Sequence, residues 1–356
     1  MIKAIKQISD VYDYLPSEEH VVWVIRLSDG NIEVHGIAAS PVLIEGRFAS
    51  LVQVGQEIWA LEYRVMASFI LELGDTLKIT RMPYYFSLSK PFRYLHGQLT
   101  GFLKEHGTKY QAQVNQQKEV VARHPLPFGL NNVWEVLDNQ TFISRKEQYL
   151  TCHALSDGSE IWRIDVGERG RRIRFRDEPP VEGWILDFFT WRSVVVALID
   201  NCTTLGIDRT TGSILWEDNQ PWFSKIGVAN GKLYQTGFKT PDVRQYVIRD
   251  MTTGQIELEQ HFTNDPVPLV IDFGPVFIHR DFYLVTTQRG APRVFIFALA
   301  TGELLDTIPL ENCRAVPSYG LNVHGDRVYQ LDMDHTLHII EVDFYALLKV
   351  TSQEPT

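Results

Sequence analysis

The side chains best suited to bind a metal lie between Asp332 and His338. This segment reads Asp-Met-Asp-His-Thr-Leu-His and places two carboxylates and two imidazoles close together. Carboxylate oxygens and imidazole nitrogens are common ligands of transition metals. Their spacing matches no established zinc or calcium motif, and the alternative is a hairpin turn at Asp334 and His335 with solvated charges. We therefore predict neither a metal nor a cofactor.

Positive charge is concentrated in one segment of the chain, between Gly167 and Pro180. Its five cations are Arg169, Arg171, Arg172, Arg174 and Arg176. Arginine binds carboxylates and phosphates through two parallel hydrogen bonds, so the segment predicts a docking site for an acidic or phosphorylated partner. The alternative is a solvated strand in which Ile173 and Phe175 point inward and the arginines point outward.

Two aromatic segments that contain proline are further candidates for partner contacts. Tyr84 and Tyr85 lie in Met82–Phe86, and Trp222 lies in Pro221–Phe223. Exposed aromatic side chains contribute strongly to binding at protein interfaces. The alternative for each segment is packing between neighbouring structural units.

The sequence contains no recognisable catalytic motif. His279 and Asp281 lie close together, but no G-x-S-x-G motif supplies a nucleophile for them. A phosphate-binding loop, a dinucleotide fingerprint and an H-E-x-x-H motif are also missing. We therefore predict that the protein is not an enzyme.

Composition excludes several classes of partner. The net charge of −10 disfavours nucleic acids and anionic membranes, both of which attract basic proteins. The three cysteines, Cys152, Cys202 and Cys313, are far apart and predict free thiols in a reducing compartment. Neither a signal peptide nor a membrane-spanning stretch is recognisable, so we expect a cytoplasmic protein with no membrane partner.

The elements that would position these residues are predicted from an internal repeat. Five copies of a turn, each with a glycine between two apolar strands, occur at Gly30, Gly158, Gly212, Gly254 and Gly302. The two fullest copies share D-x-T-T-G-x-I and include Asp208 and Asp250. Glycine adopts the positive φ that a tight hairpin requires, and Trp162 and Trp216 follow four residues after theirs.

The spacing of the glycines predicts a β-propeller. Successive copies from Gly158 onward lie 54, 42 and 48 residues apart, which suits four short strands per blade. Seven blades fit this length best, with six and eight as alternatives. We expect an all-β single domain over 1–356, with weak repeats in 20–130, clear repeats in 131–342 and a C-terminal tail in 343–356. Pairing of Val21–Leu27 with the C-terminal strands would close the ring.

The segment Gly206–Trp216 resembles the pyrroloquinoline-quinone-like propeller repeat, [AI]-x-D-x-x-T-G-x-x-x-W. Later copies depart from it, because Leu258 and Asp306 replace the tryptophan. The family includes exported quinone dehydrogenases that hold calcium and often use adjacent cysteines, and a lipoprotein that assists outer-membrane assembly. This chain has neither the cysteine pair nor a recognisable export signal, so the resemblance implies the fold more than either activity.

The function predicted from these features is non-catalytic binding of a protein partner through the propeller loops. An immunity or adaptor role is suggested by analogy with small relatives that accompany toxins or surface machineries. The alternative is an enzyme or carbohydrate-binding protein with its site at the mouth of the central channel. A quinone-dependent dehydrogenase is the disfavoured version of that alternative.

Overall fold

The computed structural model describes most of the chain, and every statement about the fold refers to the described residues. These are residues 2–17, 20–36, 40–62, 67–73, 77–82, 85–86, 93–95, 98–105, 108–115, 117–125, 134–138, 140–169, 183–199, 203–219, 223–240, 243–262, 273–287, 291–317 and 319–351. They form 33 β-strands and one α-helix, α1 (Phe344–Thr351), which lies in the tail where the repeats end.

The strands form eight antiparallel sheets, which we number as blades 1 to 8. In the first four blades the strands, from the inner edge outward, are as follows. Blade 1 has β2 (Val11–Pro16), β3 (Val22–Arg26), β4 (Ile32–His35) and β5 (Val42–Ile44); blade 2 has β6 (Phe48–Val54), β7 (Glu57–Glu62), β8 (Ala67–Leu73) and β9 (Leu77–Arg81); blade 3 has β10 (Tyr85–Phe86), β11 (Arg93–Leu95), β12 (Gln98–Glu105), β13 (Thr108–Val114) and β14 (Val120–Pro125); blade 4 has β15 (Trp134–Val136), β16 (Thr141–Lys146), β17 (Tyr149–Ala154) and β18 (Glu160–Asp165).

The other four blades follow the same order. Blade 5 has β19 (Ile185–Trp191), β20 (Val194–Ile199), β21 (Thr203–Asp208) and β22 (Ile214–Asn219); blade 6 has β23 (Phe223–Ala229), β24 (Lys232–Thr240), β25 (Val243–Asp250) and β26 (Ile256–Phe262); blade 7 has β27 (Phe273–His279), β28 (Phe282–Thr287), β29 (Arg293–Ala298) and β30 (Leu304–Pro309); blade 8 has β31 (Leu321–His324), β32 (Arg327–Leu331), β33 (Leu337–Val342) and β1 (Ile2–Ile8).

Clusters of buried apolar side chains join seven of the eight pairs of neighbouring blades within the described residues. One cluster combines Trp23 of blade 1 with Ile58 of blade 2, and similar clusters join blades 2 and 3, 4 and 5, 5 and 6, 6 and 7, and 7 and 8. A further cluster packs Val11 of blade 1 against Tyr329 of blade 8. The hydrophobic core therefore lies between the sheets, and blade 8 meets blade 1. This arrangement is a β-propeller.

The predicted all-β propeller with a ring closed by both ends of the chain is confirmed, but two details differ. Eight sheets are present rather than seven. The strand that pairs with the C-terminal β33 is β1, in which Lys3 lies opposite Glu341, and not the predicted Val21–Leu27. That segment instead contains β3, an internal strand of blade 1.

The repeated turn connects the third and fourth strands in blades 4 to 7. At Gly212 the φ angle is +74°, and the Asp208 carboxylate accepts hydrogen bonds from the backbone amides of Thr210 and Thr211. The indole ring of Trp162 in blade 4 covers this glycine and donates a 2.8 Å hydrogen bond to the Arg209 carbonyl. A side chain at position 212 would collide with that ring. The glycine and the tryptophan therefore dock one blade onto the next.

The copy at Gly30 has the same local turn but a different place in its blade. It connects β3 to β4, the second and third strands, so it lies at the opposite end of the sheet from the other copies. In an antiparallel sheet, alternate turns lie at opposite ends. The Gly30 copy of the turn was therefore correctly predicted to be a hairpin, but it was assigned to the wrong position in the repeat.

Blade 6 replaces the missing tryptophan by a different side chain. Leu258 occupies the tryptophan position, but the ring of Tyr246 on β25 covers Gly302 of blade 7 instead. The Tyr246 hydroxyl donates a 2.8 Å hydrogen bond to the Leu299 carbonyl. The indoles of Trp162 and Trp216 make the equivalent bond from blades 4 and 5. An aromatic donor therefore docks blade 6 although the sequence motif is degenerate.

Buried histidines predict that the fold is weakened by mild acid. The imidazole of His153 lies between Ser144 and the Gly158 carbonyl, and burial lowers its pKa; burial also lowers the pKa of His35 and His279. A lowered folded-state pKa means that the unfolded chain binds protons first as the pH falls below about 6.5. Stability should therefore be constant above about pH 7 and decrease from there towards pH 5.5.

Thermal denaturation at intervals between pH 8 and 5.5 would measure this effect. His153→Gln should show a smaller loss of Tm over the same interval, since it removes one of the three groups. A Tm that stays constant or rises on acidification would contradict the prediction, as would an unchanged slope in the variant.

Candidate functional site

A group of exposed apolar side chains lies in the loops and at a strand end of blades 1 and 8. Its members, which we call the loop patch, are Tyr12, Leu27, Tyr319 and Met333. Their exposed fractions are 49%, 46%, 66% and 59%. All four lie where second strands turn into third strands, or where the chain passes from one blade to the next. They therefore belong to the same loop face of the propeller.

Backbone hydrogen bonds hold these loops against one another. The Val11 amide donates to the His335 carbonyl at 2.8 Å, and the Leu27 amide donates to the Asp10 carbonyl at 2.9 Å. The Met333 amide donates to the Ala315 carbonyl at 3.0 Å. These bonds connect the segments that carry the loop patch, so its four residues lie on neighbouring segments of one face.

Tyr12 and Tyr319 are positioned by local backbone features. Tyr12 lies at a β-bulge, because the register of β2 against β3 shifts between Val11 and Asp13. A bulge redirects a side chain away from the alternation of its strand. Tyr319 precedes Gly320, whose carbonyl accepts hydrogen bonds from the Leu331 amide at 2.8 Å and from the Tyr14 hydroxyl at 2.9 Å. Both tyrosines are thus held at the surface by a rigid scaffold.

The rim of the loop patch is polar and mainly acidic. Asp10 accepts hydrogen bonds from Ser28 at 2.6 Å and from Arg26, and these two contacts lower the pKa of its carboxyl group. The Arg26 guanidinium also pairs with the Glu33 carboxylate, with the nitrogen and oxygen atoms 2.8 Å apart. Asp29 and Asp334 are exposed on neighbouring turns, and Arg314 is an exposed cation nearby in the chain. An apolar centre with a polar rim is the usual arrangement of a protein interface.

Blade 5 presents a second exposed pair on the same face. Trp184 and Leu186, at the start of β19, are 54% and 46% exposed. The register shift between Ile185 and Asp187 places Leu186 at a bulge like that of Tyr12. The inner strands of blades 1 and 5 therefore both carry an exposed apolar side chain at their second residue.

The predicted arginine site lies largely outside the described residues. Arg169 ends a short 3-10 turn (Gly167–Arg169), and its guanidinium donates a 2.6 Å hydrogen bond to Glu217 on β22. Its charge is thus paired with a side chain of the next blade. Arg171, Arg172, Arg174 and Arg176 fall outside the described part of the chain, and their role stays a prediction.

The predicted aromatic segments are described only in part. The backbone of Tyr85 lies in β10, opposite Lys104 of β12. Tyr84 and Trp222 lie outside the described residues. The exposed aromatic residues Tyr12, Trp184 and Tyr319 carry no motif that distinguishes them in the sequence, so sequence reasoning missed them.

The side chains of the segment from Asp332 to His338, considered above as possible metal ligands, separate into two groups. Asp332 and His338 come together, with the carboxylate oxygen Oδ2 2.8 Å from Nε2 of the imidazole. Asp334 is exposed in the turn, and Nδ1 of His335 lies 3.1 Å from the Val11 carbonyl. Cys313 joins the first group, and the three ligand atoms lie within 4.8 Å of one another. Cys313 was not predicted because it lies outside this segment, in the loop that enters blade 8.

The same three side chains have the composition of a Cys-His-Asp nucleophilic group. Burial, reinforced by the Asp332 carboxylate, raises the pKa of the Cys313 thiol to about 12. A nucleophilic cysteine needs the opposite shift, since the thiolate is the reactive form. Cys152 in blade 4 is likewise buried, and burial raises its pKa to about 11. Neither thiol is therefore prepared for catalysis.

Comparison with known proteins identifies the fold. No protein-family model and no curated protein matches the chain. Among solved structures, BamB from Moraxella catarrhalis aligns over 96% of this chain and 100% of its own, with a TM-score of 0.57 and 14% identity. Sqt1 from Saccharomyces cerevisiae aligns over 95% and 98%, with a TM-score of 0.62 and 10% identity.

A third solved structure is that of an enzyme. The dihydro-heme d1 dehydrogenase NirN, in complex with DHE, aligns over 82% of this chain and 64% of its own, with a TM-score of 0.54 and 12% identity. These likenesses place the chain among the β-propellers. Identities this low show the fold alone, so the activity must be argued from the surface of this chain. Within its described part, no helix is long and apolar enough to cross a membrane.

Proposed function

We propose that this β-propeller is a non-catalytic interaction module that binds a protein partner on the loop patch. The observation that carries the proposal is the convergence of Tyr12, Leu27, Tyr319 and Met333, all roughly half exposed or more, on hydrogen-bonded loops. Large apolar side chains grouped within a polar rim are typical of binding surfaces rather than of solvated ones.

The chemistry of the surface indicates the kind of partner. Tyrosine and methionine are frequent at interfaces, because each covers much apolar area and adapts to its partner. The carboxylates of Asp10, Asp29 and Asp334 surround this centre, and the whole chain carries a net charge of −10. The partner we expect has an apolar projection flanked by basic side chains. An adaptor or immunity protein acting in the cytoplasm is the role that we propose for such a module.

Capture of a partner from the native host tests the proposal. The double variant Tyr319→Ala/Met333→Ala should reduce the affinity for the captured protein by roughly 30-fold or more, because central apolar residues contribute most to such interfaces. Tyr345→Ala is a matched control, since Tyr345 is also strongly exposed but lies on α1, away from the loop patch. It should bind the partner like the unmodified chain.

A further variant separates the loop patch from the arginine segment. Replacing Arg171, Arg172 and Arg174 by glutamine should leave capture nearly unchanged if the loop patch is the docking surface. Loss of capture in this variant, together with normal capture by Tyr319→Ala/Met333→Ala, would move the site to the arginines. Failure to recover any specific partner would count against the interaction role itself.

A further inference from the structure

Three side chains of different ligand type converge between the outer strands of blade 8 and the loop that enters it. Cys313, Asp332 and His338 are all buried, with exposed fractions of 8%, 3% and 4%. Their Sγ, carboxylate oxygen and imidazole nitrogen lie within 4.8 Å of one another. A buried group of this composition requires an explanation, because charged and polar side chains are seldom buried without a compensating partner.

Hydrogen bonds from outside the cluster orient two of the three ligand atoms toward it. Oδ1 of Asp332 accepts from the Asp334 amide at 2.9 Å and from the Thr336 amide at 2.8 Å, which leaves Oδ2 to face the cluster. Nδ1 of His338 lies 3.2 Å from the Gln7 side-chain amide, so Nε2 faces the cluster. Outer partners of this kind are typical of metal ligands, whose orientation they fix.

An open cleft leads to this group. It has a volume of about 560 Å³, lies between the outer strands of blades 7 and 8, and includes His338 and Gln7 in its wall. Leu310, Glu311 and Asn312 form the wall on the blade 7 side. His338 is the member of the group that lines the cleft, so the cleft brings solvent next to this side of the group.

We infer that Cys313, Asp332 and His338 bind one divalent transition-metal ion of the zinc class, with its fourth coordination position toward the cleft. A thiolate, an imidazole and a carboxylate together select zinc over calcium or magnesium, which prefer oxygen ligands alone. Three protein ligands and one open position are the usual composition of a zinc site that still exchanges a water molecule.

Small movements of the side chains are sufficient for coordination. At zinc bond lengths, tetrahedral ligand atoms lie roughly 3.3–3.8 Å apart. The 2.8 Å separation of Asp332 and His338 must open slightly, and the thiol must move toward them. Binding releases the thiol proton to solvent, and coordination through Nε2 of His338 leaves the ring N–H at Nδ1. Rotation of the Gln7 amide by about 180° then offers its carbonyl oxygen to this N–H.

The ion would connect two loops that are otherwise joined by backbone contacts. Cys313 begins the segment that leads to Tyr319, and Asp332 precedes Met333. Coordination would clamp these segments at the base of the loop patch. The metal site nevertheless stands on its own observations, and its test is separate from partner capture.

Cobalt is the most informative probe of this site. Titration of the metal-free full-length chain with Co²⁺ should give visible absorption bands of tetrahedral cobalt and a thiolate-to-cobalt band in the near ultraviolet, both saturating at one ion per chain. Addition of Zn²⁺ should abolish these bands by displacement and raise the Tm, since the ion binds the folded state.

Matched variants distinguish this site from adventitious surface binding. Cys313→Ser should eliminate the thiolate band, whereas Cys152→Ser, at the other described buried cysteine, should retain it. Gln7→Ala should weaken Zn²⁺ binding by roughly 10-fold, because it removes the partner that orients His338. Should Cys313→Ser fail to fold, His338→Gln keeps the thiol and must weaken Co²⁺ binding by a similar or larger factor.

Two results would overturn the inference. One is the absence of a thiolate-to-cobalt band in the metal-free chain at excess Co²⁺. The other is a band that persists in Cys313→Ser, which would assign the bound ion to another cysteine. Neither result bears on partner capture by the loop patch, so failure of the metal site and failure of the proposed function remain distinguishable.

Discussion

Replacing Trp162 by alanine is expected to lower the free energy of unfolding by about 3–5 kcal/mol. The indole is 7% exposed and packs in the cluster between blades 4 and 5. Its removal leaves a cavity at that interface and leaves the Arg209 carbonyl without the indole N–H that donates to it at 2.8 Å. Gly212, whose Cα the ring covers, would gain exposure to solvent.

Two further substitutions divide this effect into its parts. Trp162→Phe keeps most of the apolar area but removes the N–H donor, so it should cost about 1–2 kcal/mol. Ile161→Ala is the matched control, since its side chain is on the adjacent residue but 48% exposed, and it should change stability by less than about 0.5 kcal/mol. Urea denaturation followed by tryptophan fluorescence and by circular dichroism provides the measurement.

An effect of Trp162→Ala no larger than that of Ile161→Ala would contradict the docking role of the tryptophan. It would mean that the blade interface is held by the aliphatic cluster alone. The same comparison can be made one blade further on, where the Trp216 indole donates to the Met251 carbonyl at 3.1 Å.

The repeat could be predicted where the turn chemistry is strong. Gly158, Gly212 and Gly254 each lie in the turn after an apolar strand and adopt positive φ. The sequence indicates both the strand and the turn glycine directly. Local chemistry does not say which pair of strands a turn connects, however. That is why the same turn at Gly30 was assigned to the wrong position, and why the spacing alone left six, seven and eight blades open.

The blades in the first third of the chain are hard to recognise from the sequence, and the reason is physical. The inner edge of blade 3 is shared by two short strands, β10 and β11, which both pair with β12. Such a divided strand has no continuous apolar alternation for a sequence pattern to detect.

The candidate sites were the least predictable part of the molecule. The loop patch consists of ordinary apolar residues whose exposure depends on bulges and on the contact between the first and last blades. Cys313 lies in the loop that enters blade 8, and the fold of that blade brings it to Asp332 and His338. Sequence reasoning therefore selected clusters of unusual residues, such as the arginines, whereas the structure assembles its clusters from residues distant in sequence.

Deletion of residues 2–8 should destabilise the fold more than any single substitution. Strand β1 completes blade 8 through pairs that run from Ile2 opposite Val342 to Ile8 opposite Leu337. Without it, β33 becomes an exposed edge, and the buried Ile8 no longer packs between blades 8 and 1. An unpaired edge strand rich in apolar residues invites association with other chains. We expect a Tm lower by roughly 10 °C or more, together with dimers or larger aggregates.

A peptide supplied in trans provides the sharpest form of this experiment. Residues 1–10 added in excess should bind the truncated chain by pairing with β33, restore the monomer and raise its Tm, because strand addition replaces the missing hydrogen bonds. Lys3→Ala in the full chain is the control, since this exposed side chain contributes little to the pairing. A truncated chain that remains monomeric and melts within about 2 °C of the full chain would show that the contacts between blades 8 and 1 hold the ring without β1.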